Sequence, residues 1–257
     1  MRTWFSIAAF VSALFVPAAT AQIAVVNGAT FQASFPVAPG SLATAFGEFT
    51  GVTQAVAEAV PLPSTLAGVQ VLVNNVASPL VFVSTSQINF QVPAGALPTG
   101  QAVAQVPIRV TLNGANVRQG NVTVSAASPG IFVLDFASPA LPGAALNQNF
   151  SVNSAQNPVA RGQILQLFAT GAGTNLSAAI PDGAAPASLV TTVQVPDVFV
   201  SVSKAEVIFS GMSPQFPGVW QINIRIPDGA HIAGQVPVTL FYPWNLQSNT
   251  VSVWVAQ

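Results

Sequence analysis

The chain has 257 residues, of which 51% are hydrophobic and only 5% charged, with a net charge of -1 and no cysteine. Six basic residues cannot build the phosphate-tracking patch of a nucleic-acid binder, the hydrophobic content excludes a disordered chain, and disulfides and thiolate metal sites are excluded outright. A net charge so close to zero also leaves little repulsion to oppose self-association.

In chain order, the first feature is Arg2, an apolar run from Trp4 to Val16, and then Ala19-Thr20-Ala21. The run is too short to span a bilayer and ends in an A-x-A cleavage site, so residues 1–21 read as a signal peptide. The mature chain from Gln22 is therefore expected to be exported, whether extracellular, cell-surface or periplasmic. No later run reaches the length of a transmembrane helix.

Val37-Ala38-Pro39-Gly40-Ser41 reads as a tight turn feeding a strand that ends at Phe46. Strands are then predicted at Val69 to Val73, Leu80 to Val83, Gln87 to Val92, Val106 to Val110 and Asn121 to Val124. Ile88, Phe90 and Val92 alternate with Gln87, Asn89 and Gln91, the period of a half-buried antiparallel strand. The segment 137–156, rich in Pro, Ala, Gly and Asn, reads as a linker or as the first segment of a second unit.

The series then begins again. Val159-Ala160-Arg161-Gly162-Gln163-Ile164 leads to Phe168, and further strands are predicted at Val198 to Val202, Val207 to Phe209, Gln221 to Ile226, Val236 to Leu240 and Asn249 to Val253. Gln87-Ile88-Asn89-Phe90-Gln91-Val92-Pro93 matches Gln221-Ile222-Asn223-Ile224-Arg225-Ile226-Pro227 at four of seven positions. The offset between copies drifts from 122 to 134 residues, as loops vary while strands persist.

The expected fold is all-β: two tandem immunoglobulin-like antiparallel β-sandwich domains, at 22–136 and 157–257. Pro107 and Pro237 occupy the same place in both copies and are expected to mark edge strands, because proline cannot donate to a ladder. An outer-membrane barrel would need longer strands with one lipid-facing side, and the short, proline-punctuated runs argue against it.

Five segments carry a resemblance. Pro61-Leu62-Pro63-Ser64-Thr65-Leu66-Ala67-Gly68-Val69, Ser86 to Pro93, Ala127-Ser128-Pro129-Gly130-Ile131-Phe132, Asn157 to Gly162 and Ala169-Thr170-Gly171 together resemble an uncharacterised acidobacterial (Solibacter-type) C-terminal domain family. The resemblance covers about Val26 to Val255, and each half is also similar to an immunoglobulin-like unit of the IPT/TIG type. It implies a secreted β-sandwich module and supplies no catalytic residues. Here the domain follows the signal peptide directly, whereas members usually sit at the end of long secreted proteins.

Chemistry-bearing residues are sparse. The single histidine, His231, follows the Pro227-Asp228-Gly229 turn, and without a Gly-x-Ser-x-Gly elbow it reads as a solvated loop residue. Asp182 and Asp228 both occur as Pro-Asp-Gly, ordinary turn chemistry. The spacing of Glu48, Glu58, Asp135, Asp182, Asp197, Glu206 and Asp228 selects no glycosidase pair and no calcium loop. Gly171-Ala172-Gly173 lacks the rest of a phosphate loop. No cofactor and no metal is expected, and asparagines 121, 149 and 175 lie in chance sequons.

Aromatic residues are the remaining candidates. Trp220 is in phase with Ile222 and Ile224 and belongs to the core, whereas Trp254 is out of phase with Val251, Val253 and Val255 and should point outward. Tyr242, Trp244 and Trp254 are accordingly the candidate contacts for a ligand or partner. The expected function is a non-catalytic module making protein contacts, including self-association, at a cell surface or in a secreted matrix. The alternative is glycan binding through those three aromatics.

Overall fold

A computed structural model describes residues 23–229, 231–242 and 246–257. The expected signal peptide and Trp244 lie outside the described residues.

The described chain is all-β. The first unit contributes β1 (Ala24–Asn27), β2 (Leu42–Phe46), β3 (Ala55–Val56), β4 (Val69–Val73), β5 (Val76–Ala77), β6 (Leu80–Val83), β7 (Gln87–Gln91), β8 (Val103–Leu112) and β9 (Ala115–Ser125). One turn of 3-10 helix lies at Ala94–Ala96. The second unit contributes β10 (Gly130–Ile131), β11 (Ala145–Asn147), β12 (Ile164–Thr170), β13 (Asp197–Val200), β14 (Ser203–Met212), β15 (Trp220–Arg225), β16 (Gly234–Tyr242), β17 (Leu246–Gln247) and β18 (Val251–Val255).

In the first unit the sheets run β1-β2-β7-β6-β3 and β5-β4-β8-β9. That is the A-B-E-D and C-F-G order of an immunoglobulin-like sandwich. The second unit repeats it as β10-β12-β15-β14 and β14-β13-β16-β18. One strand separates the two copies. β14 runs unbroken through both sheets, pairing with β13 and then with β15. In the first unit Ser78-Pro79 interrupts the same stretch, because Pro79 has no N–H to offer a ladder. A bulge falls at the matching place in each copy, between Leu80 and Phe82 and between Val207 and Phe209.

Period-two alternation fills the cores. Val69, Val71, Val73, Ile88 and Phe90 are fully buried in the first unit, as are Leu165, Leu167, Trp220, Ile222 and Ile224 in the second. Each such side chain contributes about 1.5–3 kcal/mol of burial. The Trp220 indole N–H donates to Ser210 Oγ at 3.0 Å, so the largest core residue leaves no polar atom unpaired.

One alternative is narrowed and one expectation is corrected. Of the two readings of 137–156, linker or first segment of a second unit, a free linker does not fit: β11 lies within it and pairs with β12, and Leu141 and Gly143 bond to Ser252. The second unit in fact begins at β10, which pairs with β12. The prolines, likewise, are not on edge strands, since β8 lies between β4 and β9 and β16 between β13 and β18. Pro107 O accepts from Asn74 N at 2.8 Å, and Pro237 O from Ser201 N at 2.7 Å. A residue's carbonyl and N–H positions share one side of a strand. The missing donor of each proline therefore faces the turn where its neighbour strand has just ended, which is why an interior strand tolerates it.

Candidate functional site

The site is built where the two units meet. The connecting residues Ala127 and Ser128 are buried. Ser128 N donates to Gly171 O at 2.8 Å in the second unit. Its hydroxyl donates to Pro36 O at 2.6 Å, and its carbonyl accepts from Asn27 Nδ2 at 3.0 Å, both in the first unit. Gly171 and Gly173 have positive φ, and a Cβ on either would run into the Ser128 or Ala126 carbonyl. The Gly-Ala-Gly run is a seat for the connecting segment.

Thr170 adds a second tie. Its hydroxyl donates to Gly218 O at 2.7 Å and accepts from Leu42 N of the first unit at 2.9 Å. A third comes from Pro181-Asp182-Gly183, a turn in sequence terms that docks on the other unit. Asp182 Oδ1 accepts from Ala94 N at 2.9 Å, Gly183 N donates to Gln91 Oε1 at 2.7 Å, and Leu62 N donates to Gly183 O at 2.8 Å. Together these bonds hold the units in one arrangement.

Beside the joint runs an open groove of about 470 Å³ lined by apolar residues alone. Leu42 of the first unit forms one end. β12 supplies Phe168, the segments flanking β10 and β11 supply Phe132, Leu134 and Val152, and the loop before β15 supplies Phe216 and Val219. Leu134 is 54% exposed, Val152 52% and Phe216 57%. The backbones beneath them lock together: Phe132 N donates to Phe168 O, Phe168 N to Ala144 O, and Ala144 N to Phe132 O. Apolar side chains thus face solvent on a fixed frame. The pattern of β12 held a signal, since Phe168, like Ile164, is an apolar residue out of phase with Leu165, Leu167 and Ala169. The rest of the lining comes from segments distant in sequence.

A second feature is duplicated. On the outer face of each first sheet, Gln87 Nε2 donates to Asn89 Oδ1 at 2.7 Å, and Gln221 Nε2 to Asn223 Oδ1 at 2.9 Å. Phe46 and Phe168 stand across from the glutamines, and Phe82 and Phe209 across from the asparagines. Each unit therefore carries the same strip of two amides between two phenylalanines.

Of the three aromatics proposed from sequence, Tyr242 and Trp254 lie within the described residues. Tyr242 is only 2% exposed and packs edge-on to Trp220 at 5.1 Å, so it belongs to the core and offers no ring to a ligand. Its phase in β16 explains this, since it follows Val236, Val238 and Leu240 inward. Burial raises its pKa above the ordinary 10.0. Trp254 does point away from buried Val253 and Val255 but is half-buried, with its backbone held by Asn153.

Titratable residues are scattered. His231 is exposed, with Nε2 3.0 Å from Ser203 Oγ, and no carboxylate bonds to it among the described residues. Glu48 pairs with Arg118 at 3.4 Å, Asp197 with Lys204 at 2.7 Å and Glu206 with Arg225 at 2.9 Å. Among the described residues no group of three His, Cys, Asp or Glu side chains is placed to hold a metal, and no helix is long and apolar enough to cross a membrane.

No family model matches the sequence, and no curated protein does. Among solved structures, the chain is similar to SGBP-B of the Bacteroides ovatus mixed-linkage glucan utilization locus, solved with a mixed-linkage heptasaccharide, at 13% identity and a TM-score of 0.34. That match covers 86% of this chain and 42% of the other. A beta-glycosidase from Bacteroides vulgatus is matched at 12% identity and a TM-score of 0.22, over 92% of this chain and 25% of that one. A titin immunoglobulin tandem is matched at 8% identity and a TM-score of 0.23, over 86% and 89%. The chain spans less than half the length of the first two, and the fold assignment rests on its own strand order.

Proposed function

We propose that the protein is an exported, non-catalytic β-sandwich module that makes protein–protein contacts at a cell surface or in a secreted matrix, using the groove beside the joint as its contact face. The carrying observation is the lining. A sugar needs hydrogen-bond partners in its site, and burying its hydroxyls without them is costly. Every residue lining the groove is apolar, so the occupant that fits is a segment of a partner protein presenting aliphatic or aromatic side chains. Export is supported by the Trp4 to Ala21 pattern. Membership of the acidobacterial C-terminal domain family is supported by the five ordered segments.

The test is a displayed-peptide selection against the folded protein, repeated on Phe216→Asp. Peptides with two or more apolar anchors should be enriched on the parent and lost on the variant. Enrichment unaffected by Phe216→Asp would overturn the assignment of the face.

Glycan binding has one observation in its favour, the duplicated strip of Gln87, Asn89, Gln221 and Asn223 between phenylalanines. Amides that donate and accept beside an aromatic ring suit a sugar hydroxyl and its apolar face. A glycan array that responds to the parent and not to Asn223→Ala would favour this second reading.

A further inference from the structure

Each sandwich ends its second sheet on the same strand, β9 in the first unit and β18 in the second. The free side of β18 is closed. Gly143 N donates to Ser252 O at 2.9 Å and Ser252 N to Leu141 O at 3.0 Å; Val159 N donates to Trp254 O at 3.0 Å and Ala256 N to Val159 O at 2.8 Å. The side chain of Asn153 stands in for a strand residue, donating to Trp254 O at 2.8 Å and accepting from Trp254 N at 2.7 Å.

β9 has only part of that cover. Val37, the counterpart of Val159, donates to Thr123 O at 3.0 Å and accepts from Ser125 N at 2.8 Å. Nothing corresponds to Leu141–Asn153, because residues 28–41 alone separate β1 from β2, whereas residues 132–163 separate β10 from β12.

The direction of the exposed backbone follows from the register. Pro107 faces Asn121 across β8 and β9 and turns its carbonyl to Asn74, on the β4 side. The pair is therefore a non-hydrogen-bonded one, and Asn121 turns its N–H and C=O away from β8. Thr123 does the same, as its bond from Val37 shows, and by alternation so does Gln119. Among the described residues no backbone hydrogen bond reaches the outward groups of Gln119 or Asn121. The usual protection of an edge is also missing there. Gln119, Asn121 and Thr123 are exposed and uncharged, while the neighbouring Arg118 side chain is only 16% exposed and bonds to Glu48.

We propose that this edge pairs with the same edge of a second copy, antiparallel, about a two-fold axis at Gly120, so that Gln119 of one copy faces Asn121 of the other. The outward groups are symmetric about Gly120 and would exchange four hydrogen bonds. Arg118 would face Val122 of the second copy, so no like charges are opposed, and a net charge of -1 adds little repulsion. The Val37 cover ends the ladder at Thr123, and the closed β18 edge offers no matching continuation. The product is a closed dimer. This surface is separate from the apolar groove and goes beyond the function proposed there.

The test compares the full chain with Asn121→Pro and Asn121→Lys by sedimentation equilibrium up to millimolar concentration. The lost N–H of the proline variant points out of the sheet, so both variants should keep the parent melting temperature and circular dichroism. The parent should dimerise, and Asn121→Pro should raise the dissociation constant roughly thirtyfold, since two of four bonds go. Hydrogen exchange should show concentration-dependent protection at Gln119 and Asn121 in the parent alone. A parent that stays monomeric, or a dimer that survives both folded variants, overturns the proposal. Peptide capture by the groove should be unchanged in Asn121→Lys, which separates a failure here from a failure of the groove reading.

Discussion

Thr170→Val isolates the tie between the units with almost no change of shape. Thr170 is fully buried, and valine keeps its branching and strand preference. What goes is the hydroxyl that bridges Gly218 O and Leu42 N. Two hydrogen bonds, one buried and one part-buried, disappear and two backbone groups lose their partner, each worth about 1–3 kcal/mol, for an expected loss of about 2–6 kcal/mol. For a chain of this size that corresponds to a fall in melting temperature of roughly 4–24 °C. Thr44→Val is the control. Among the described residues its hydroxyl bonds only to Asn89 Oδ1, which still accepts from Gln87, so a cost of about 0.5–1 kcal/mol is expected. Urea titration of both variants against the parent gives the comparison. If Thr170→Val cost no more than Thr44→Val, the bridge would not hold the units and the frame beneath the groove would need another explanation.

Three further outcomes follow from the same contacts. Because the Tyr242 pKa is raised by burial, the folded state holds that proton more tightly than the unfolded chain; stability should be intact below pH 10.0 and fall as pH rises above it. Tyr242→Phe should abolish that fall and cost little at neutral pH, since among the described residues the hydroxyl has no partner to lose; alkaline melting curves decide it. Asn153→Leu should cost about 2–3 kcal/mol by uncovering the Trp254 backbone, read from urea midpoints. Between pH 7 and pH 4 the melting temperature should stay nearly flat, because the three ion pairs each carry a carboxylate at least half exposed and such pairs contribute little. A steep drop in that interval would count against this.

Much of the architecture was legible because alternation is a local property. Ile88 and Phe90 announce an inward face without reference to any other strand, and Gln221-Ile222-Asn223-Ile224 repeats the message. The edge assignment of Pro107 and Pro237 failed because sheet order is non-local. A proline reports one missing donor, and only the position of Asn74 or Ser201 shows that the donor was never required. The choice between linker and first segment of a second unit stays open in sequence for the same reason, since composition marks 137–156 as loop-like but cannot reveal that Leu141 and Asn153 close a strand edge.

The candidate site was the least legible part. Tyr242 is an amphipathic aromatic of the kind that suits a contact, yet its phase with Leu240 sends it into the core beside Trp220. The groove joins Leu42 of one unit to Leu134, Phe168 and Phe216 of the other, and no single window of sequence holds two of its walls. In four of the five motif segments Leu62, Gln91, Ser128, Thr170 and Gly171 bond across the joint, so these four contribute to the arrangement of the two sandwiches.

The apolar groove beside the joint is the proposed contact face. The decisive measurement is a titration of the isotope-labelled protein with a selected apolar-anchor peptide, followed through its methyl resonances. Shifts should cluster on Leu42, Leu134, Leu146, Val152 and Val219, drawn from both units, and leave the outer β9 surface unmoved. Shifts confined to one unit away from Leu42, or centred on the amide strips, would contradict it.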